Sequence, residues 1–195
     1  MLAAVILSGG SSSRMGSPKA LLPYQGRPFL DHLLGITRHP KIGVRRVVLG
    51  VHAEQIAKAI DLAPDEIVIN ENWEEGQLSS VHAALRSLPP GTDGIILCLI
   101  DHPLVSADLL GHLISDFYTS QALIVLPVFE GQRGHPVIFS SKLYGELLAA
   151  PIGTGARAVV WANQTNIHEY QTTEEGCVLN LNDPATFARV TNASE

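Results

Sequence analysis

The sequence predicts an α/β fold in which a mostly parallel sheet is covered by helices on both faces, giving three layers. The chain has 195 residues and is 46% hydrophobic, which suits one domain with a real core. Short apolar runs alternate with longer runs of helical spacing. Continuous apolar runs such as Ala3–Leu7 are typical of strands buried on both faces. We therefore expect a single domain over residues 1–195, with ligands bound beyond the carboxyl ends of the strands.

Seven short runs of apolar residues are interpreted as strands. The clearest is Gly94–Ile100, a central strand of seven residues without a charge. The last two are the weakest, because they mix polar residues with apolar ones. In chain order the predicted strands are Ala3–Leu7, Val44–Val51, Ile67–Asn70, Gly94–Ile100, Ala122–Val128, Ile167–Gln171 and Cys177–Leu181.

Seven longer segments between these runs have the spacing of amphipathic helices. The third should end at Pro89-Pro90-Gly91, which cannot continue a helix, and Ser106 should cap the fourth. Ser79 or Ser80 could cap the third. The predicted helices are Phe29–Thr37, Ala53–Asp61, Gln77–Leu88, Ser106–Ser120, Lys142–Ala149, Ala156–Asn163 and Pro184–Val190.

Composition excludes several classes of function. The 13 basic and 19 acidic residues give a net charge of −6, which argues against nucleic acid as a partner. The two cysteines have no zinc-type spacing, and Cys98 lies in an apolar run, so we expect an inert buried thiol. The first residues lack a basic segment and form too short an apolar run to span a membrane. We expect a cytoplasmic protein without a membrane partner.

A glycine- and serine-rich loop directly follows the first predicted strand, beginning at Ser8-Gly9-Gly10. Glycines allow the backbone to turn tightly and present N–H groups to an anion, and Arg14 and Lys19 add positive charge. The loop matches neither the P-loop nor the dinucleotide fingerprint. The alternative is a flexible loop with two solvated cations, but its place at a strand's carboxyl end favours a phosphate site.

Asp101 is the first charged residue after the central strand. A carboxylate at that position is costly to desolvate unless a cation or hydrogen bonds compensate it, and Mg²⁺ combines few carboxylates with substrate phosphate oxygens. The alternative is an Asx-turn ahead of Pro103. His102 is expected to pack or face solvent rather than bind a metal.

The segment Ile6–Lys19 resembles the N-terminal signature of the molybdenum cofactor nucleotidyltransferases. These enzymes share the nucleotide-diphospho-sugar transferase-like Rossmannoid fold, which also includes sugar-nucleotide and isoprenoid nucleotidyltransferases. The resemblance implies that this loop wraps the phosphates of an NTP and that Arg14 and Lys19 neutralise their charge. The nucleotide-binding residues implied in the loop are Leu7, Ser8, Gly9, Gly10, Ser11, Ser12, Ser13 and Lys19.

The segment Leu99–Val105 resembles the family's Asp-x-Pro metal motif, which implies that Asp101 is a Mg²⁺ ligand and contacts the nucleotide. A second ligand is implied in the stretch Val178–Pro184. Its candidates are Asn180, Asn182 and Asp183, and the sequence does not rank them. Amide oxygens bind Mg²⁺ more weakly than carboxylates.

Two further segments resemble family motifs. Asn70–Val81 resembles N-x-x-W-x-x-G-x-x-S-S, which borders the nucleotide and implies contacts from Asn72, Gly76 and Ser79. Phe129–Phe139 contains the G-x-R-G-H-P-V motif of the cytidylyltransferase branch, although a hairpin with an exposed arginine is the alternative interpretation. The resemblance directs this second segment toward the acceptor, and the acceptor-binding residues implied are Arg133, His135 and, from Gly155-Ala156-Arg157, Arg157.

The sequence contains contradictory features at the positions that should identify the acceptor and the base of the nucleotide. Ile152-Gly153 stand where the cytidylyltransferase branch carries Gly-Asp, which weakens the inference on the acceptor. Gly9 stands where that branch has alanine and the guanylyltransferase branch has glycine, and it leaves more room for a purine. Features of the cytidylyltransferase branch are more numerous across the chain, so CTP is favoured over GTP.

The resemblance implies a Mg²⁺-dependent nucleotidyltransferase that moves NMP from an NTP to molybdopterin or the molybdenum cofactor and releases pyrophosphate. One alternative is another small phosphorylated acceptor, such as a sugar phosphate, methylerythritol phosphate or phospholactate. A second is a non-catalytic molybdenum cofactor chaperone, with a molybdenum hydroxylase as its client.

Overall fold

The computed structural model describes residues 1–11 and 16–192 of the chain. Three residues of the predicted phosphate loop, Ser12, Ser13 and Arg14, therefore lie outside the described residues. Their proposed contacts remain predictions.

Within the described residues, eight strands form the central sheet, and two short ones form a separate hairpin. The sheet order is β10-β7-β9-β6-β1-β4-β5, with β8 paired to β7. Strands β1, β4, β5 and β6 are parallel to their neighbours in that group, whereas β9 runs antiparallel to both β6 and β7. The strands are β1 Leu2–Ser8, β2 Pro23–Tyr24, β3 Arg27–Pro28, β4 Ile42–Leu49, β5 Ile67–Ile69, β6 Gly94–Leu99, β7 Ile124–Phe129, β8 Gln132–Arg133, β9 Val137–Ser140 and β10 Ile167–Gln171.

Helices cover both faces of the sheet and create two core layers. One layer holds apolar residues of α1 and α4, and the other holds those of α3, α5 and α6. The three-layer fold is therefore confirmed. The helices are α1 Phe29–Ile36, α2 Ala53–Ala59, α3 Gln77–Ser87, α4 Ala107–Ser120, α5 Tyr144–Ala149, α6 Arg157–Ala162 and α7 Pro184–Asn192.

The cap at Ser106 is confirmed, because its hydroxyl accepts a bond from the Leu109 N–H at 3.0 Å. The predicted capping of α3 by Ser79 or Ser80 is wrong. Gly76 is the N-cap, and the Ser79 hydroxyl donates to the carbonyls of Asn72 and Gly76 at 2.9 and 2.7 Å. That hydroxyl closes the preceding turn instead of receiving a helix N–H.

The predicted strand Cys177–Leu181 is wrong. Cys177 ends a 3-10 helix, and the chain then crosses the end of β6, where the Leu181 N–H donates to the Asp101 carbonyl at 2.9 Å. Of the apolar residues that suggested a strand, Cys177 and Leu181 are buried and Val178 and Leu179 are half-buried, and none of them pairs within the sheet. Strand β9 was missed, because three apolar residues and a serine after a proline give too short a pattern for a prediction.

Cys98 is buried as predicted, and burial raises the pKa of its thiol to about 12. No helix in the described part of the chain has both the length and the apolar composition needed to cross a membrane.

Candidate nucleotide and acceptor site

Three parallel strands end side by side at one edge of the sheet. Ser8 of β1 is level with Leu49 of β4, and Leu7 is level with Leu99 of β6. The Ile100 N–H donates to the Leu7 carbonyl at 3.2 Å, which ties the chain after β6 to the end of β1. The glycine turn and Asp101 therefore lie at the same edge, as strand–helix alternation predicts.

A small cavity of about 190 Å³, which we call the nucleotide cavity, opens between these strand ends. The Lys19 ammonium lies 3.9 Å from an Asp101 carboxylate oxygen inside it, and both side chains are largely buried, at 15% and 16% exposed. A cation and an anion held together out of bulk water form a strong local field. The cavity is lined by Leu7, Ser8, Gly9, Gly10, Lys19, Gln77, Ser80, Leu99, Ile100 and Asp101.

One of the three candidates in the late polar stretch contacts Lys19, a residue that lines this cavity. The Lys19 ammonium donates a hydrogen bond to the Asn182 amide oxygen. Asn180 is exposed. Asp183 caps α7, accepting from the Ala185 and Thr186 N–H groups at 3.1 and 2.9 Å and, through its other oxygen, from the Thr186 hydroxyl at 2.9 Å. This geometry favours Asn182 as the second oxygen beside Asp101.

The oxygens at this point suit a hard divalent cation. Asp101 offers a carboxylate, and Asn182 offers an amide oxygen that shares Lys19 with it. Among the described residues, no cluster of three or more His, Cys, Asp or Glu side chains could enclose a metal. Mg²⁺ needs no such cage, since it is usually held by one or two protein oxygens with water and substrate phosphate.

The segment Asn70–Val81 lines the cavity through residues of α3 other than those predicted. Gln77 and Ser80 reach the nucleotide cavity, whereas Asn72 and Ser79 line a separate surface depression and Gly76 lines neither. Ser80 could have been found from the sequence, because it is the second serine of the Ser79-Ser80 pair in this motif. Its direction into the site follows from the helical phase of α3, which only the structure fixes.

A buried amide supports this wall of the cavity. Asn70 is 5% exposed, and its Nδ2 donates to the hydroxyls of Ser79 and Ser80 at 2.8 and 2.9 Å. Gly9 lies opposite: a Cβ added to Gly9 would stand 3.1 Å from the Ser80 hydroxyl oxygen. Alanine at position 9 would therefore require Ser80 to shift.

A second cavity of about 360 Å³, which we call the acceptor cavity, adjoins the first through Gln77, which lines both. Its floor is apolar, and its rim carries polar and cationic groups, including the predicted Arg133, His135 and Arg157. The apolar residues of the floor are Leu78, Leu97, Leu126, Val137, Phe139 and Val160.

The two arginines of the rim differ in their partners. Arg133 donates through Nε to Glu169 at 2.7 Å and through Nη2 to Gln164 at 3.1 Å. It lies on a β7–β8 hairpin and is 38% exposed, as the hairpin interpretation of this segment predicts, whereas its contact with an acceptor stays a prediction. Arg157 has no ion-pair partner among residues 1–11 and 16–192. Arg157 is therefore an arginine of the rim whose positive charge is not compensated by an ion pair within the described residues.

Two histidine rings lie between Asp101 and the acceptor cavity. The rings of His102 and His135 are 5.2 Å apart, and His102 is buried, as its packing interpretation predicts. Burial, with a smaller contribution from His102, lowers the pKa of His135 to about 4, and burial also lowers the pKa of His102. Within the described chain the Nδ1 atoms of both rings lack a hydrogen-bond partner. His135 therefore enters the rim as a neutral hydrogen-bonding group.

The chain is similar in fold to solved structures. The Rv0371c protein of Mycobacterium tuberculosis H37Rv is 26% identical, with a TM-score of 0.83 over 98% of both chains. A structure of that protein in complex with manganese superimposes with a TM-score of 0.76 at 24% identity, over 98% of both chains.

Two relatives of known sequence bear names that refer to different reactions. A molybdenum cofactor guanylyltransferase of Xanthomonas euvesicatoria is 34% identical over 57% of this chain, and the match spans about half, 52%, of that protein. A protein of Paenarthrobacter nicotinovorans named nicotine blue oxidoreductase is 30% identical over 78% of both chains. The MobA-like NTP transferase domain matches residues 4–167, from β1 into β10, and the chain belongs to that family of nucleotidyltransferases.

Proposed function

We propose that the chain transfers NMP from an NTP to molybdopterin or the molybdenum cofactor and releases pyrophosphate. The observation that carries this proposal is the buried Lys19–Asp101 pair, 3.9 Å apart, in a cavity that adjoins a second cavity with a cationic rim. A nucleoside triphosphate and a phosphorylated acceptor would then meet at Gln77, where the two cavities join.

The chain's own groups account for positioning and charge. Lys19 and the backbone beyond β1 would hold the triphosphate, and Arg133 and Arg157 would hold the acceptor phosphate. An acceptor oxygen attacks the α-phosphorus in line as the bond to the pyrophosphate oxygen breaks, and pyrophosphate leaves. The attacking oxygen is already anionic, so no general base is required. Catalysis then rests on orientation and charge stabilisation.

Asp101 and Asn182 would hold a Mg²⁺ ion beside the phosphates. The ion would neutralise charge on the phosphate oxygens. The mycobacterial relative in complex with manganese supports a divalent cation on this fold. Mg²⁺ and Mn²⁺ both accept carboxylate and carbonyl oxygens, so activity should be tested with each.

CTP is the donor that we propose, with GTP as its rival. The G-x-R-G-H-P-V segment and the Gly155-Ala156-Arg157 match to the cytidylyltransferase branch support CTP. Gly9 supports GTP, as does the relative named guanylyltransferase. A competition assay with equal concentrations of both nucleotides separates them, and a preference for GTP would replace CTP in the proposal.

The decisive experiment measures pyrophosphate release from CTP and GTP with molybdopterin, with and without Mg²⁺. Release that needs both acceptor and metal supports the proposal. If pyrophosphate were released only with a sugar phosphate, methylerythritol phosphate or phospholactate, the proposed transferase activity would stand and the proposed acceptor would be wrong.

A different class of function is a non-catalytic molybdenum cofactor chaperone for a molybdenum hydroxylase. The relative named nicotine blue oxidoreductase shows that proteins similar to this chain bear names outside nucleotidyl transfer. A chaperone would bind nucleotide or pterin in a titration but release no pyrophosphate with any acceptor. The metal-type oxygens of Asp101 and Asn182 beside Lys19 argue for turnover, since a binder has little use for them.

A further inference from the structure

The start of the phosphate loop rests on the turn between β4 and α2. Gly9 packs directly against Gly50, where an added Cβ would overlap the Gly9 carbonyl oxygen and stand 2.9 Å from the Cβ of Trp73. The loop therefore lies backbone against backbone on the residue that follows β4. Two residues farther along the loop, at Ser11, the backbone is held by a hydrogen bond from a side chain.

His52 makes that bond. Its Nε2 lies 2.9 Å from the carbonyl oxygen of Ser11, on a loop 41 residues away in the chain. A carbonyl oxygen can only accept, so Nε2 carries the hydrogen and donates it. His52 is half-buried at the N-cap of α2, and it does not line the nucleotide cavity. The bond thus ties the Ser11 carbonyl to the β4–α2 turn, and neither of the two bonded residues lines the nucleotide cavity.

The direction of this carbonyl matters to an anion. A carbonyl oxygen that turned toward a bound triphosphate would repel its oxygens, whereas N–H groups attract them. Loops rich in glycine and serine have many accessible backbone conformations, and selecting one of them costs entropy. A hydrogen bond that fixes the carbonyl outside the site before the nucleotide arrives lowers that cost.

We propose that His52 is a positioning residue for the nucleotide: its imidazole holds the Ser11 carbonyl away from the triphosphate and preorganises the start of the phosphate loop, from Ser8 to Ser11. This inference rests on the proposed function, because it assumes that the loop binds an NTP. His52 touches neither substrate, so its effect should fall on nucleotide binding and leave the acceptor side unchanged.

Two substitutions separate the hydrogen bond from the bulk of the ring. His52→Phe keeps a ring but removes the donor, and His52→Gln keeps an N–H donor at comparable reach. Loss of one hydrogen bond corresponds to roughly a two- to tenfold change. We expect His52→Phe to raise the KM for the nucleotide and its Kd in calorimetric titration by that factor. The KM for the acceptor and the Tm should stay at their original values, and His52→Gln should restore nucleotide binding.

The control is Gln55→Ala, an exposed position on the same helix with no bond to the loop among the described residues. An unchanged nucleotide KM in His52→Phe would overturn the inference. So would a fall in Tm with parallel losses on both substrates in the Phe and Gln variants, which would indicate a merely structural role. If the original chain failed to bind CTP or GTP, the proposed function would fail first, and this inference with it.

Discussion

The nucleotide cavity and the acceptor cavity share Gln77 but are built in different ways. The nucleotide cavity is formed by backbone at the ends of parallel strands, with Lys19 and Asp101 facing each other inside it. The acceptor cavity is formed by side chains, with an apolar floor that includes Phe139 of the antiparallel strand β9. The two ends of one cleft therefore place different demands on the sequence.

This difference has a physical origin. A triphosphate is recognised by N–H groups and a few charges, so close backbone packing and buried charge decide the geometry. An acceptor with a larger body is recognised by shape and by rim charges, which many side chains can supply. We expect substitutions at the nucleotide end to abolish function and substitutions at the acceptor end to change affinity.

The largest expected effect is at Asp101. Asp101→Asn keeps the size and removes the charge that faces Lys19, and we expect kcat to fall by about 100-fold or more through lost charge stabilisation in the transition state. Pyrophosphate release measures this effect, with circular dichroism and Tm to check folding. A variant that kept most of its activity at saturating Mg²⁺ would contradict the role of Asp101 as a metal ligand.

The next effect tests the backbone packing of the nucleotide end. Gly50→Ala would push a methyl group into the Gly9 carbonyl. We expect a loss of about 1–3 kcal/mol in the free energy of unfolding from overpacking, with weaker nucleotide binding. Gly153→Ala at the acceptor end is the matched variant, because nothing lies within 4 Å of its added Cβ. Equal destabilisation of both variants in urea would remove the contrast between the two ends.

A smaller effect is expected at the rim of the acceptor cavity. Arg157→Ala removes the cation that has no ion-pair partner among the described residues, and we expect the KM for the acceptor to rise by about tenfold. The KM for the nucleotide should change less than twofold. Steady-state kinetics with each substrate varied in turn measures both values, and Arg157→Lys should recover part of the loss. A larger change in the nucleotide KM would assign Arg157 to the other cavity.

The smallest effect is expected at Glu169. The side chains of Glu169 and Arg133, which form an ion pair, are each more than one-third exposed, so the pair adds little to folding stability. Glu169→Gln leaves a hydrogen-bond acceptor but removes the compensating charge of Arg133. We expect a two- to threefold change, roughly the worth of an exposed pair, in the KM for the acceptor without a change in Tm. The effect should vanish in the background of Arg133→Ala, and its persistence there would show that Glu169 acts independently of Arg133.

The sequence by itself determined the parallel part of the sheet, the edge at which we expect ligands to bind, and the group formed by the glycine turn, Lys19 and Asp101. Apolar runs buried on both faces and glycines beside charges carry their own local signal. Asp101 stands out because it directly follows an uncharged strand.

Only the tertiary structure decided which side chains complete the two cavities. Asn182 meets Lys19 across 163 residues, Ser80 faces Gly9, and β9 enters the sheet between β6 and β7. The misassigned strand Cys177–Leu181 and the missed contact of Gln77 have the same cause. Long-range register and helical phase depend on how whole elements pack, and a local pattern of residues does not contain them.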